Sequence, residues 1–194
     1  MPSAGFFNHS LAQAGHKVSD IDMVVISHSH PDHIGNLMTG GEPTFPNAKI
    51  VYGRSEFDYW NRGKKISDMR KPTLAMFQQV AVPLADKMRF IEPDESIVPS
   101  LTTINAFGHS AGHLAFHFEQ GNQRLMMLND TVAHCAASFA RPDWHFSMDD
   151  DPNAAATTRA RLLDLVATDK IPIIGFHMPF PAVGYVEKSG QGFA

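Results

Sequence analysis

At 194 residues the chain can be served by one hydrophobic core, since cores grow to roughly 250 residues before chains divide, and a single domain over 1–194 is expected. Apolar residues at 43% and charged residues at 19% are ordinary for a globular protein, and no apolar run reaches the length of a membrane span, so a bilayer-crossing protein is excluded from the expectation. A net charge of -4 without any Lys/Arg block argues against nucleic acid or an anionic membrane as partner and favours a small neutral or apolar substrate.

Met1-Pro2-Ser3-Ala4-Gly5 lacks the basic and apolar pattern of a secretory leader, which favours the cytoplasm. A short helix is expected near residues 11–14, stopped by Gly15, followed by a strand over 21–26 whose apolar run predicts burial on both faces. Residues 49–52 read as a strand, 55–60 as a helical turn, and 73–80 as a helix ended before Pro83. Strands are expected over 88–91, 101–106, 114–119 and 124–128, the last two joined as a hairpin through Gln120-Gly121-Asn122-Gln123. Asp151-Pro152 supplies a cap and first-turn proline for a helix to about residue 168, with Leu162, Leu165 and Val166 facing the core, and 171–174 is the last clear strand. The class is therefore α/β (α+β), mixed sheets flanked by helices, without repeats or linkers.

Eleven histidines prompt a search for metal-ligand spacing. Ser27-His28-Ser29-His30-Pro31-Asp32-His33 follows the strand and puts four ligand-type side chains into six positions. Extended backbone sends His28 and His30 to one side, and the turn at Pro31 with a new helix redirects Asp32 and His33, so one loop can serve two neighbouring metals. A lone His-x-His would be an ordinary surface feature; the whole motif points to metal binding. Single Cys135 excludes an internal disulfide and reads as a small buried side chain rather than a nucleophile or ligand.

The motif resembles the His-x-His-x-Asp-His signature of the metallo-β-lactamase-fold hydrolases. Gly108-His109-Ser110-Ala111-Gly112-His113 looks like that family's glycine-histidine loop, Asn129-Asp130 like its bridging aspartate, and Gly175-Phe176-His177-Met178-Pro179-Phe180-Pro181 looks most like the methyl parathion hydrolase, lactonase and esterase branch. Singly, His109, Asp130 and His177 read as structural; their order after the first cluster reverses that. The resemblance implies an αβ/βα sandwich with His28, His30 and His109 on one metal, Asp32, His33 and His177 on the other, and Asp130 between them. Two divalent ions are implied, with zinc favoured for a nitrogen-rich set and iron, manganese or cobalt as other occupants. Catalysis would run through a metal-bound hydroxide held by Asp32 and Asp130, attacking a carbonyl carbon or phosphorus.

His113 reads either as orienting the ligand loop or as a buried structural histidine. His134, Phe139, Trp144, Met178 and Phe180 are candidates for an apolar substrate wall, with core packing or surface exposure the simpler reading of each. Asp149-Asp150-Asp151 reads as a helix cap without catalytic role. Only about twenty residues precede the motif where the family places several strands, so a shortened sheet, and a homo-oligomer covering its exposed edges, are expected. The function implied is hydrolysis of a small ester, lactone or phosphotriester, with β-lactams a weaker candidate. Thioester hydrolysis of the glyoxalase II kind and nuclease activity rank lower for want of the extra domain each uses. The alternative class is a shortened metal-binding relative with little turnover.

Overall fold

The computed structural model describes residues 6–64 and 66–194, so the opening residues 1–5, read above for a leader, lie outside the described residues. Two compact units emerge, Met1–Ile91 and Glu92–Ala194.

The first unit carries helix α1 (Phe7–Gln13), strand β1 (Met23–Ile26), the single turn α2 (Pro31–Ile34), the short hairpin β2 (Met38–Thr39) and β3 (Glu42–Pro43), strand β4 (Lys49–Gly53), helices α3 (Arg54–Arg62) and α4 (Lys71–Val80), and strand β5 (Met88–Ile91). Strands β1, β4 and β5 form a parallel sheet in that order. Central β4 is apolar from Ile50 to Tyr52 and buried over that run, as a strand flanked on both sides must be. Burial on both faces was expected of residues 21–26 instead. The strand begins at Met23, and among its residues only Ile26 is fully buried; among the described strands it pairs with β4 alone. The helical turn expected at 55–60 is a complete helix ended by Gly63 in the left-handed region (φ +59). Trp60 and Phe57 of α3 pack with Phe77 of α4, Ile34 of α2 and Tyr52 of β4, which makes the helices one cover over the sheet.

The second unit is a six-stranded sheet in the order β11-β10-β9-β8-β7-β6, built from β6 (Ser96–Val98), β7 (Leu101–Asn105), β8 (Leu114–Gln120), β9 (Gln123–Asn129), β10 (Ile173–Gly175) and β11 (Val183–Gly184). All its pairs are antiparallel except β9 with β10. That parallel pair needs a crossover, supplied by the turn α5 (Ala137–Ala140) and the long helix α6 (Pro152–Asp169). A last hairpin, β12 (Lys188–Ser189) with β13 (Gly192–Phe193), follows. The predicted hairpin is present with Gly121-Asn122 as its turn. Asp151 caps α6 as expected, its carboxylate accepting from the Ala154 amide at 3.0 Å. Leu162, Leu163 and Val166 of α6 pack on Ala115, Met126 and Leu128 of the sheet; Leu165 lies at the margin and Leu163 takes the central place. Sheets flanked by helices are thus the architecture of both units, and among the described residues no helix is long and apolar enough to cross a membrane.

Candidate metal centre

In the first unit the His- and Asp-rich loop begins where β1 ends. His30 is extended (φ -66, ψ 153) and Pro31 opens α2, so the chain changes from strand-like to helical geometry between His30 and Asp32. His28 and His30, two residues apart on the extended part, converge: His28 Nε2 lies 3.1 Å from His30 Nδ1. Asp32 and His33 share the helical turn, with Asp32 Oδ2 3.6 Å from His33 Nε2. Two donors on one tetrahedral zinc at ~2.0–2.1 Å are ~3.3 Å apart, so these separations fit ligands of a common ion.

The loop is braced from behind. The Ser27 hydroxyl sits 3.1 Å from His28 Nδ1 and 3.4 Å from His33 Nδ1, engaging that nitrogen of both rings. Buried Glu56 on α3 accepts from the Ser29 amide and from Trp60 Nε1, both at 2.8 Å, and the Tyr52 hydroxyl meets Ser29 Oγ at 2.9 Å. Burial, reinforced by the Glu56 charge, raises the Tyr52 pKa well above the ordinary phenol value, so the hydroxyl stays neutral.

In the second unit, Asn129 ends β9 in the left-handed region (φ 49), a conformation asparagine tolerates, and its side-chain Nδ2 donates to the Leu114 carbonyl at 2.8 Å. The following Asp130 is buried, and its Oδ2 lies 3.3 Å from His109 Nε2 and 3.1 Å from His177 Nε2. One carboxylate oxygen thus faces two imidazoles. His177 follows β10 and is half open to solvent, whereas His109 is buried.

The loop bearing His109 is held by the start of α6. Gly108 has φ +127, and a Cβ there would lie 2.2 Å from the Ala155 nitrogen, so only glycine fits. The Asp151 amide donates to the Gly108 carbonyl (2.9 Å) and the Asp150 amide to the His109 carbonyl (3.2 Å). His109 Nδ1 meets Asp149 Oδ1 at 2.9 Å. Burial disfavours the His109 imidazolium, but the hydrogen bonds and charges of Asp130 and Asp149 outweigh it and push its pKa up to about 9. His113 is buried with Nδ1 2.9 Å from the Ala106 carbonyl and its ring edge-on to His109, which agrees with its reading as a structural histidine beside the ligand loop.

The proposed substrate wall is brought together only in part. Phe139 and Met178 pack on the core of the second unit and line a cavity of about 170 Å³ with Ile173 and Pro179. Phe180 is 97% exposed and Trp144 54%, the latter with the Arg141 guanidinium 5.0 Å from its ring centre. His134 is exposed and its Nδ1 accepts from the Ala136 and Ala137 amides, so it caps α5. Cys135, expected to be buried, is exposed: the inward place on this turn goes to Ser138, whose hydroxyl takes the Ala133 and His134 amides. The acidic run was read only as a cap, which holds for Asp151; Asp149 instead contacts His109. No sequence signal separates Asp149 from its two neighbours, and Ser27 and Glu56 carry none beyond lying near the motif or on a helix.

The family model of the Metallo-beta-lactamase superfamily matches residues 2–175. An N-acyl homoserine lactonase of Bacillus thuringiensis is 26% identical over 169 residues, covering 86% of this chain and 59% of that protein. One from Bacillus cereus is 26% identical over 167 residues with the same coverage. Among solved structures, AidC, a dizinc quorum-quenching lactonase in complex with a product, N-hexnoyl-L-homoserine, matches with a TM-score of 0.92 at 27% identity over 98% of this chain and 68% of that one. The hydrolase AbOPH of the beta lactamase superfamily matches at 0.90 and 23% identity over 97% and 68%, a likeness of fold alone. The chain spans 59% of the length of the curated relatives it matches.

Proposed function

The chain belongs to the metallo-beta-lactamase superfamily, and from that premise we propose that it is a metal-dependent hydrolase opening lactones of the N-acyl homoserine type, with small esters and phosphotriesters as further substrates. By the family resemblance His28, His30 and His109 would hold one divalent ion and Asp32, His33 and His177 the other, with Asp130 shared between them, zinc first among candidates. The observation that carries the reading is the Asp130 carboxylate oxygen facing His109 Nε2 at 3.3 Å and His177 Nε2 at 3.1 Å, in a chain whose first unit gathers His28, His30, Asp32 and His33 on one loop. The product named with AidC and the activity of the Bacillus relatives support the substrate class.

Bound there, the ions supply Lewis acidity and an activated water near neutral pH. The residues of the chain hold that chemistry in place. Ser27 engages two imidazoles at Nδ1, Glu56 pins the backbone of the ligand loop, and Asp130 supplies the shared carboxylate. Asp32, with its side chain 48% exposed, has access to solvent and takes the proton released as water adds. The water oxygen bonds to the carbonyl carbon, the ring C–O bond breaks, and the alkoxide takes up that proton to leave a hydroxy acid.

Metal content of the purified chain, followed by acid release from N-hexanoyl homoserine lactone, tests the proposal. About two ions per chain and turnover that falls at least about a hundredfold on chelation or in Asp130→Ala are expected. A folded chain that takes up none under metal-replete conditions, or an Asp130→Ala variant as fast as the parent, would overturn it.

A further inference from the structure

The segment leading into α6 holds a buried charge pair that the ligand set does not use. Asp149 is 7% exposed and Arg159, about two turns into α6, is 2% exposed. Asp149 divides its two oxygens: Oδ1 meets His109 Nδ1 at 2.9 Å and Oδ2 accepts from Arg159 Nη2 at 3.1 Å. Arg159 spends its other donors on backbone, with Nε to the Thr131 carbonyl at 2.8 Å and Nη1 to the Pro142 and Trp144 carbonyls at 3.0 and 2.7 Å. The guanidinium is therefore fixed by three carbonyls before it reaches the carboxylate, and the carboxylate is fixed before it reaches the imidazole. Thr131 is the neighbour of Asp130, so the same side chain also ties down the end of the Asp130 loop.

A carboxylate at Nδ1 can only accept, which places the ring proton on Nδ1 and leaves the Nε2 lone pair as the ligand atom. That lone pair then faces Asp130 Oδ2 across 3.3 Å, two acceptors that attract only when a cation or a proton lies between them. We propose that Asp149, locked by Arg159, is a positioning residue that fixes the tautomer and orientation of His109 so that Nε2 binds metal. Asparagine cannot replace it. With its oxygen toward His109, its NH₂ meets the Arg159 donors; turned round, its NH₂ meets the Nδ1 proton.

The inference rests on His109 being a metal ligand, and its tests read metal binding rather than turnover. Zinc competition against a chromophoric chelator should show Asp149→Asn binding about 10–100-fold more weakly than the parent. Asp151→Ala, which removes the cap two residues away, should lower stability and leave zinc affinity unchanged. In the parent loaded with cadmium-113 and labelled with ¹⁵N-histidine, the His109 resonance, identified by its loss in His109→Gln, should couple to cadmium through Nε2 and keep a proton on Nδ1. That measurement decides the matter even if Asp149→Asn does not fold. Parental affinity in a folded Asp149→Asn, or coupling through Nδ1, overturns the positioning role alone. Cadmium coupling to other histidines but not to His109 removes its premise, and cadmium coupling to no histidine ends the metal-centre reading with it.

Discussion

His109 shows how neighbours set the behaviour of a single side chain. In chelated protein its pKa of about 9 lies above the ordinary histidine value of 6.5, because two carboxylates outweigh burial. A pKa raised by folding contributes stability that is complete below about pH 6.5 and is lost as pH rises through about 9. Thermal unfolding of the chelated chain should therefore shift to lower temperature over that window, and His109→Asn should flatten the dependence; equal slopes in the two proteins would refute it. The same proton competes with metal, so zinc uptake should release it and tighten as pH rises toward 9. Asp149 lies forty residues from His109, and three aspartates in a row look alike in a sequence. Which one turns inward depends on where α6 begins and on Arg159 already being in place.

At the scale of elements, the ends of strands and the start of one helix carry the site. β1 in the first unit, and β9 and β10 in the second, each deliver ligand-type residues just past their last paired position, where backbone is released from the ladder. The N-terminus of α6 closes on the Gly108 loop, so Gly108→Ala combines a left-handed φ with a collision against the Ala155 backbone. It should lose on the order of 3 kcal/mol of stability in chemical denaturation and weaken metal binding with it. Asp151→Ala should cost only about 1 kcal/mol, since it removes one capping bond at an exposed position. A larger loss, or one accompanied by loss of metal, would show that the cap does more than start the helix. Helix α4 and the hairpin of β8 and β9 were legible from periodicity and turn residues, because local pattern governs them, whereas α3 was legible only as a turn. The short strands β2, β3 and β11 to β13 were not: two residues make no period, and only pairing partners turn them into strands.

For the whole molecule, metal should act as a ligand of the folded state. At free metal about a hundred times Kd, binding adds about 2.7 kcal/mol, which for a chain of this size moves Tm by roughly 5–10 °C. Scanning calorimetry with and without a chelator measures it, and an unchanged Tm would contradict a folded-state metal centre. The sequence by itself determined the class of fold, the His- and Asp-rich loop after β1 and the order of the later ligand-type residues, since those depend on hydrophobic period, on Gly and Pro, and on spacing within a few residues. Tertiary structure alone decided that the first strand is half-buried and β4 central, that Cys135 faces solvent while Ser138 turns inward, that His134 caps a helix, and that Asp149 and Arg159 stand behind His109. Each of these turns on which distant segment fills the space beside a residue, and burial, pairing and hydrogen-bond partners are properties of that neighbour as much as of the residue itself.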